Sequence, residues 1–257
     1  MSGTCYDIGM LIVANWKAYI DSRDDATRLF VQAKRLVTSV KRVKIVLAPP
    51  APFIGLFAPS NRSKVQFGAQ DISLTTVGAA TGEVSAGSMR ALGARYVIVG
   101  HSERRALGET DEVVRDKTRR ALANGLTPIL CVGEKERDAD AEYLRALKRQ
   151  IGIVFEALSP QERLKMIVAY EPVWAIGKHA GDAITSADLA EMVLYIRKVL
   201  GEYLVGKSAQ KVPVLYGGSV ESQNIRALAG GSGVDGFLVG HASADTVQFG
   251  ALVKALI

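Results

Sequence analysis

"GMLIVANWKAY", residues 9–19, decides how this chain is built. Its first seven residues form an apolar run too short for a helix, of the kind that makes a strand buried on both faces. Its last five residues, from Asn15 on, are the informative ones. A strand that opens a doubly wound, dinucleotide-type sheet passes to its helix through a glycine fingerprint. Here the strand passes to Asn15, Trp16, Lys17, Ala18 and Tyr19, with no glycine among the residues after it. An open doubly wound sheet is therefore the weaker reading.

Similar runs recur along the chain: "VKIVLA" (43–48), "VQFGAQ" (65–70), "YVIVG" (96–100), "PILCVG" (128–133), "MIVAY" (166–170), "VPVLYG" (212–217) and "GFLVG" (236–240). Segments with helical spacing lie between them. "RDDATRLFVQAKRLVTSV" spans 23–40, and "DEVVRDKTRRALANG" (111–125) ends in the glycine expected just past a helix. "SADLAEMVLYIRKVLGEYL" (186–204) reads as a helix with Ser186 as N-cap and Asp188 in its first turn. Eight strands alternating with helices imply a parallel sheet, and about 250 residues is the size at which such a sheet closes into a (β/α)₈ barrel. The expectation is one barrel domain over residues 1–257, with residues 1–9 a poorly ordered extension ahead of it.

Composition narrows the function. A hydrophobic content of 48% supports a sizeable core. No apolar run approaches the ~18 residues needed to cross a bilayer, and "MSGTCYDIG" lacks the basic-then-apolar pattern of a secretory signal. A cytoplasmic protein with no membrane partner is expected. Cys5 and Cys131 have no metal or redox spacing, and the three histidines are far apart, so no metal is expected. The net charge of +6 is spread over helix-like segments. Its densest stretch, "VKRVK" (40–44), alternates with apolar positions as a solvated helix end does. No aromatic-basic platform accompanies it, so nucleic acid is not the expected partner. A positive field can instead help collect a small anion.

In a barrel, the carboxyl ends of the strands converge on one mouth. Those ends carry Asn15 and Lys17, His101 and Glu103, Glu134, Glu171, then "YGGSV" (216–220) and "VGHAS" (239–243). Taken singly, each is an ordinary loop residue; their coincidence at one end is not ordinary. A glutamate facing a neutral histidine can take a proton from a carbon beside a carbonyl while imidazole and ammonium stabilise the oxyanion. Glycine-rich turns with exposed N–H groups suit a phosphate. These residue types point to a small phosphorylated carbonyl substrate handled without a cofactor.

"NWK" (15–17), "GHSERR" (100–105), "CVGE" (131–134), "YEPVWAIG" (170–177), "YGGSV" and "DGFLVG" (235–240) together resemble the triosephosphate isomerase family, in register from about residue 10 to the C-terminus. The resemblance implies the single TIM-barrel fold and interconversion of dihydroxyacetone phosphate with D-glyceraldehyde 3-phosphate in glycolysis and gluconeogenesis, without cofactor or metal. It implies Glu171 as base, His101 as neutral electrophile, and Lys17, Asn15 and Glu103 completing the catalytic set; that family's glutamate and neutral histidine are themselves a standard worked case. Asn15, Lys17, Gly177, Ser219, Gly240 and the N–H of His241 fall where the family holds the substrate and its phosphate. "PVWAIGKHA" (172–180) resembles the family's lid. "GAATGEVSAG" (78–87) resembles its homodimer loop, with Thr81 reaching the partner's site and Glu83 meeting Arg104 across the interface. Three departures stand out: Ala18-Tyr19 for the usual Met-Asn, a longer lid hinge at 178–184, and His241 for a second glycine. Two alternatives remain at this point, an isomerase of a four-carbon ketose phosphate such as erythrulose phosphate, and a barrel that binds phosphorylated ligands without turnover.

Overall fold

A computed structural model describes residues 9–75, 77–177 and 184–256. The anticipated N-terminal extension, but for Gly9, and Cys5 lie outside the described residues, as does the lid hinge up to residue 183. The strands are β1 (Met10–Asn15), β2 (Val43–Ala48), β3 (Gln66–Ala69), β4 (Tyr96–Val99), β5 (Thr127–Val132), β6 (Ile167–Tyr170), β7 (Val214–Tyr216) and β8 (Gly236–Val239). Each pairs in parallel with the next, and β1 pairs with β8 from Leu11↔Gly236 to Ala14↔Val239, so the ring closes. The helices are α1 (Arg23–Ser39), α2 (Ala51–Phe57), α3 (Ala86–Leu92), α4 (Ser102–Ala106), α5 (Asp111–Ala123), α6 (Glu142–Glu156), α7 (Pro160–Arg163), α8 (Ser186–Gly201), α9 (Ile225–Gly231) and α10 (Thr246–Lys254). The fold is the expected (β/α)₈ barrel rather than an open sheet.

Period-two alternation along the strands divides the core in two. Val13, Val46, Ile98, Ile129, Cys131, Ile167, Ala169, Leu215 and Leu238 fill the barrel interior. Their neighbours Ile12, Ala14, Leu47, Val168, Tyr170 and Phe237 face the helices. Helix α1 shows how the outer layer forms. Ser22 caps it by accepting from the Asp25 N–H, Asp24 and Asp25 sit in its positive first turn, and Ala26, Leu29, Phe30, Ala33, Leu36 and Val37 make one buried stripe. Phe30 then stacks on Phe57 of α2 at 4.7 Å.

One helix start differs from expectation. The N-cap of α8 is Thr185, whose hydroxyl accepts from the Asp188 N–H at 3.1 Å, while the Ser186 hydroxyl donates to the Ala227 carbonyl. Either hydroxyl could serve as cap, and a contact from α9 claims the second. In "VKRVK", Val40 and Val43 are buried while Lys41, Arg42 and Lys44 face outward, the pattern of a solvated strand entry.

Candidate active site

Continuing the strand alternation one step past the barrel interior builds the mouth. The inward positions after Val13, Cys131, Ala169, Leu215 and Leu238 are Asn15, Gly133, Glu171, Gly217 and Gly240. Two carry polar side chains and three carry none, so the glycines leave the space into which the polar groups reach. A Cβ on Gly240 would come 3.2 Å from Lys17 Cε. One on Gly133 would sit 1.8 Å from the Glu171 carbonyl oxygen. Gly133→Ala must therefore separate the ends of β5 and β6 beneath the carboxylate. A displacement of ~1 Å costs about 10²-fold in rate, so steady-state kinetics should show kcat falling on that scale, with the melting temperature lowered too.

Glu171 is 2% exposed. One carboxylate oxygen accepts from the Ser102 N–H at 3.0 Å. The other lies 3.3 Å from His101 Nε2, yet among the described residues it has no hydrogen-bond partner. A buried carboxylate oxygen without a partner is expensive and rare in a finished interior. Beneath it, Cys131 is fully buried; burial first and the Glu171 charge second push its thiol far up, so it is a neutral core group.

His101 is the N-cap of α4, and its Nδ1 accepts from the Glu103 N–H at 3.2 Å. An Nδ1 that accepts carries no proton, which leaves a neutral ring with its N–H on Nε2, near Glu171 but not hydrogen-bonded to it. Lys17 adopts φ 47°, a left-handed conformation that disfavours a side chain by about 1–2 kcal/mol. Three contacts hold it there. Its N–H donates to Asn15 Oδ1 at 3.1 Å, its carbonyl accepts from Gln70 Nε2 at 2.8 Å, and its Nζ donates to Glu103 at 2.7 Å. Strain maintained this way is a mark of functional sites.

Asn15, Lys17, His101, Glu171, Gly177, Ser219, Gly240 and His241 all border one cavity of about 490 Å³. Glu103 stands outside it and reaches it through Lys17 and His101. His241 is the first residue of a 3₁₀ turn, His241–Ala244, and does not have positive φ. Replacing glycine there carries no backbone strain. A larger cavity, about 960 Å³, lies behind Glu171 between the loops after β4 and β5, but it lacks Lys17, His101 and the turns after β7 and β8.

Several positioning residues were not singled out from sequence. Gln150 clasps Gly133 with two bonds, accepting from its N–H at 2.9 Å and donating to its carbonyl at 3.0 Å. Glu134, noted at its strand end without a role, accepts from Tyr170 Oη and Trp174 Nε1, both at 2.8 Å, and its carbonyl accepts from the Val173 N–H. Burial foremost, then the Glu134 charge, push the Tyr170 phenol well up, so it stays a donor. The start of the segment from Pro172 is thereby tied to the end of β5. Ser219 holds its other side by donating to the Ala175 carbonyl at 2.9 Å, and Gly177 turns the chain at φ 75°.

Comparison with known proteins agrees with this fold. The family model for triosephosphate isomerase matches residues 10–256. A triosephosphate isomerase of Moorella thermoacetica is 41% identical over 249 residues, covering 95% of this chain and 97% of that protein. One from Thermus thermophilus is 41% identical over 248 residues, covering 95% and 98%. One from Roseiflexus sp. is 39% identical over 251 residues, covering 96% and 97%. Fold, site and relatives define the class as an isomerase built on a closed (β/α)₈ barrel. Within that class, the chain belongs to the triosephosphate isomerase family.

Proposed function

We infer that the protein interconverts dihydroxyacetone phosphate and D-glyceraldehyde 3-phosphate, with residues 1–257 acting as one barrel domain. The observation that carries this reading is the buried Glu171 carboxylate, with one oxygen held by Ser102 and the other unpartnered beside His101 Nε2. Such an oxygen can take a proton from a substrate carbon and return it to the neighbouring one. His101 donates its Nε2 proton to the carbonyl oxygen as charge develops there, and the Lys17 ammonium stabilises the enediolate. Asn15 and Glu103 orient Lys17. Gly177, Ser219, Gly240 and the His241 N–H face the phosphate. Closing the segment from Pro172 excludes water and protects an enediol phosphate from losing its phosphate.

The test is turnover of D-glyceraldehyde 3-phosphate beside erythrulose phosphate. Fast three-carbon turnover is expected. Preference for the four-carbon substrate would move the assignment to a different ketose phosphate, and inactivity on both would leave a binding barrel. His101→Ala should lower kcat by about 10²- to 10³-fold. Its stability should fall only by the lost cap, about 1 kcal/mol, which a denaturant melt separates from the kinetic effect.

The same reading makes the protein a cytoplasmic homodimer of glycolysis and gluconeogenesis. The loop around Thr81 and Glu83 is exposed, and Val77 beside it is 95% exposed, apolar area that a second copy could cover. Within one chain, Glu83 favours the charged form of Arg104, behind the stronger pull of Glu109 and Asp71. A monomer in sedimentation would remove the dimer from this account, and fractionation of the source cells checks the compartment.

A further inference from the structure

Two rings at the rim of the substrate cavity take no part in the chemistry above. Tyr19, in the loop after β1, and His241, in the turn after β8, meet edge to face, with centroids 5.3 Å apart and planes at 77°. Both are positions where the chain departs from the pattern it resembles, and the fold brings the two departures into contact. Tyr19 is 53% exposed, so the pair is not core packing. Both residues border the cavity beside Lys17, Ser219 and Gly240. His241 has no strained backbone to explain its presence, which leaves its side chain as the novelty.

We propose that His241, steadied by Tyr19, is a titrating contact for the phosphate of the substrate, so that affinity for a phosphate dianion rises as pH falls. The inference rests on the reading above that the phosphate lies against Ser219 and Gly240. Imidazole is the side chain whose charge changes across neutral pH. A dianion beside it favours the protonated ring, so the proton is held more tightly in the complex than in the free protein. By linkage, binding is tighter below the imidazole titration and loses that advantage above it. Among the described residues, the other ionisable groups sharing the cavity are Lys17 and Tyr19 after β1, His101 after β4, Glu171 after β6 and Glu221 after β7; α10 brings the neutral Gln248. Asp245, at the end of the same turn, is committed to the N–H groups of Val247 and Gln248. These protein groups are present with and without ligand. Only the phosphate adds its pull on binding.

The probe is sn-glycerol 3-phosphate, which has the phosphate and three carbons but no carbonyl to react. Its dissociation constant would be measured by calorimetry from about pH 6 to about pH 8.5 for the wild type, His241→Gln and Tyr19→Ala. The second ionisation of the ligand, near pH 6, affects all three proteins alike, so the ratio of variant to wild type isolates the imidazole. For His241→Gln the ratio should be about fivefold at the acid end, the size of one added charge acting through a partly screened site, and should fall to about one at the alkaline end. Tyr19→Ala should give a smaller ratio with the same trend. A ratio independent of pH overturns the inference while leaving the phosphate site intact. Failure of the wild type to bind at any pH overturns the phosphate site itself, and the inference with it.

Discussion

Replacing Glu171 by glutamine should lower kcat for triose phosphate isomerisation by about 10³- to 10⁴-fold, the upper part of what a positioned general base supplies. The amide has nearly the shape of the carboxylate. Its oxygen can still accept from the Ser102 N–H, so the fold and the cavity should persist. What it cannot do is take a proton from carbon. KM should therefore change far less than kcat, which marks an interaction made in the transition state rather than in substrate binding. Glu171→Asp keeps the charge but withdraws it by one methylene, and should lose about 10²-fold from that displacement. If Glu171→Gln retained a tenth or more of the wild-type rate, the base would have to be sought elsewhere.

The second large effect concerns stability. Lys117, on α5, has its ammonium 2.6 Å from Asp71 and 2.6 Å from Glu109, and Arg104 completes the group at 2.8 Å from Glu109 and 3.2 Å from Asp71. The Lys117 and Glu109 side chains are 5% and 7% exposed. Burial pushes the Glu109 carboxyl up, but the bonds from Lys117 and Arg104 outweigh it and hold the group below its ordinary value. At Asp71 burial outweighs the same lysine and the carboxyl lies above its ordinary value. Lys117→Met removes the buried shared cation and leaves Glu109 and the partly exposed Asp71 with Arg104 alone, which should destabilise the fold by about 3 kcal/mol at neutral pH, the lower part of the cost of breaking a buried pair.

The pH dependence of that loss has a definite sign. In the wild type, the lowered Glu109 contributes stability that is present above its unfolded pKa and lost as pH falls through the folded one. The raised Asp71 contributes the opposite way, favouring the fold at acid pH and less so as pH rises through its folded value. In Lys117→Met both carboxyls lose an attractive cation while burial remains, so both move up. The deficit should be greatest near neutrality and shrink as acid protonates them. Denaturant melts of both proteins at several pH values measure it. A deficit that grew in acid would mean that the lysine is not what keeps these carboxylates ionised.

How legible this site was in the sequence depended on the kind of signal. Glu171 and Asn15 could be placed because alternation along a buried strand fixes which side chain reaches the mouth, and each strand end is marked by a polar residue after an apolar run. The supports could not be placed, because their partners are far along the chain. Gln70 reaches Lys17 and Ala48, 53 and 22 residues away, and Glu134 reaches Tyr170 and Trp174, 36 and 40 residues away. No local pattern announces such pairs. The left-handed turn at Lys17 was hidden for a related reason: a lysine does not advertise positive φ as a glycine does. Adjacent hydroxyls at Thr185 and Ser186 made the cap of α8 ambiguous until α9 engaged one of them. The question raised by His241 also needed the fold, since both its ordinary φ and its contact with Tyr19 depend on how β1 and β8 close the barrel.

The central claim is that a carboxylate moves a proton between two adjacent substrate carbons. Isomerisation of D-glyceraldehyde 3-phosphate in heavy water, followed by proton NMR, tests it most directly. A proton held on Glu171 can exchange with solvent before it is returned. The dihydroxyacetone phosphate formed should carry one deuterium on its free hydroxymethyl carbon in part or all of the molecules. Product with that hydrogen fully retained under slow, exchange-permitting turnover, or no product at all, would contradict the account.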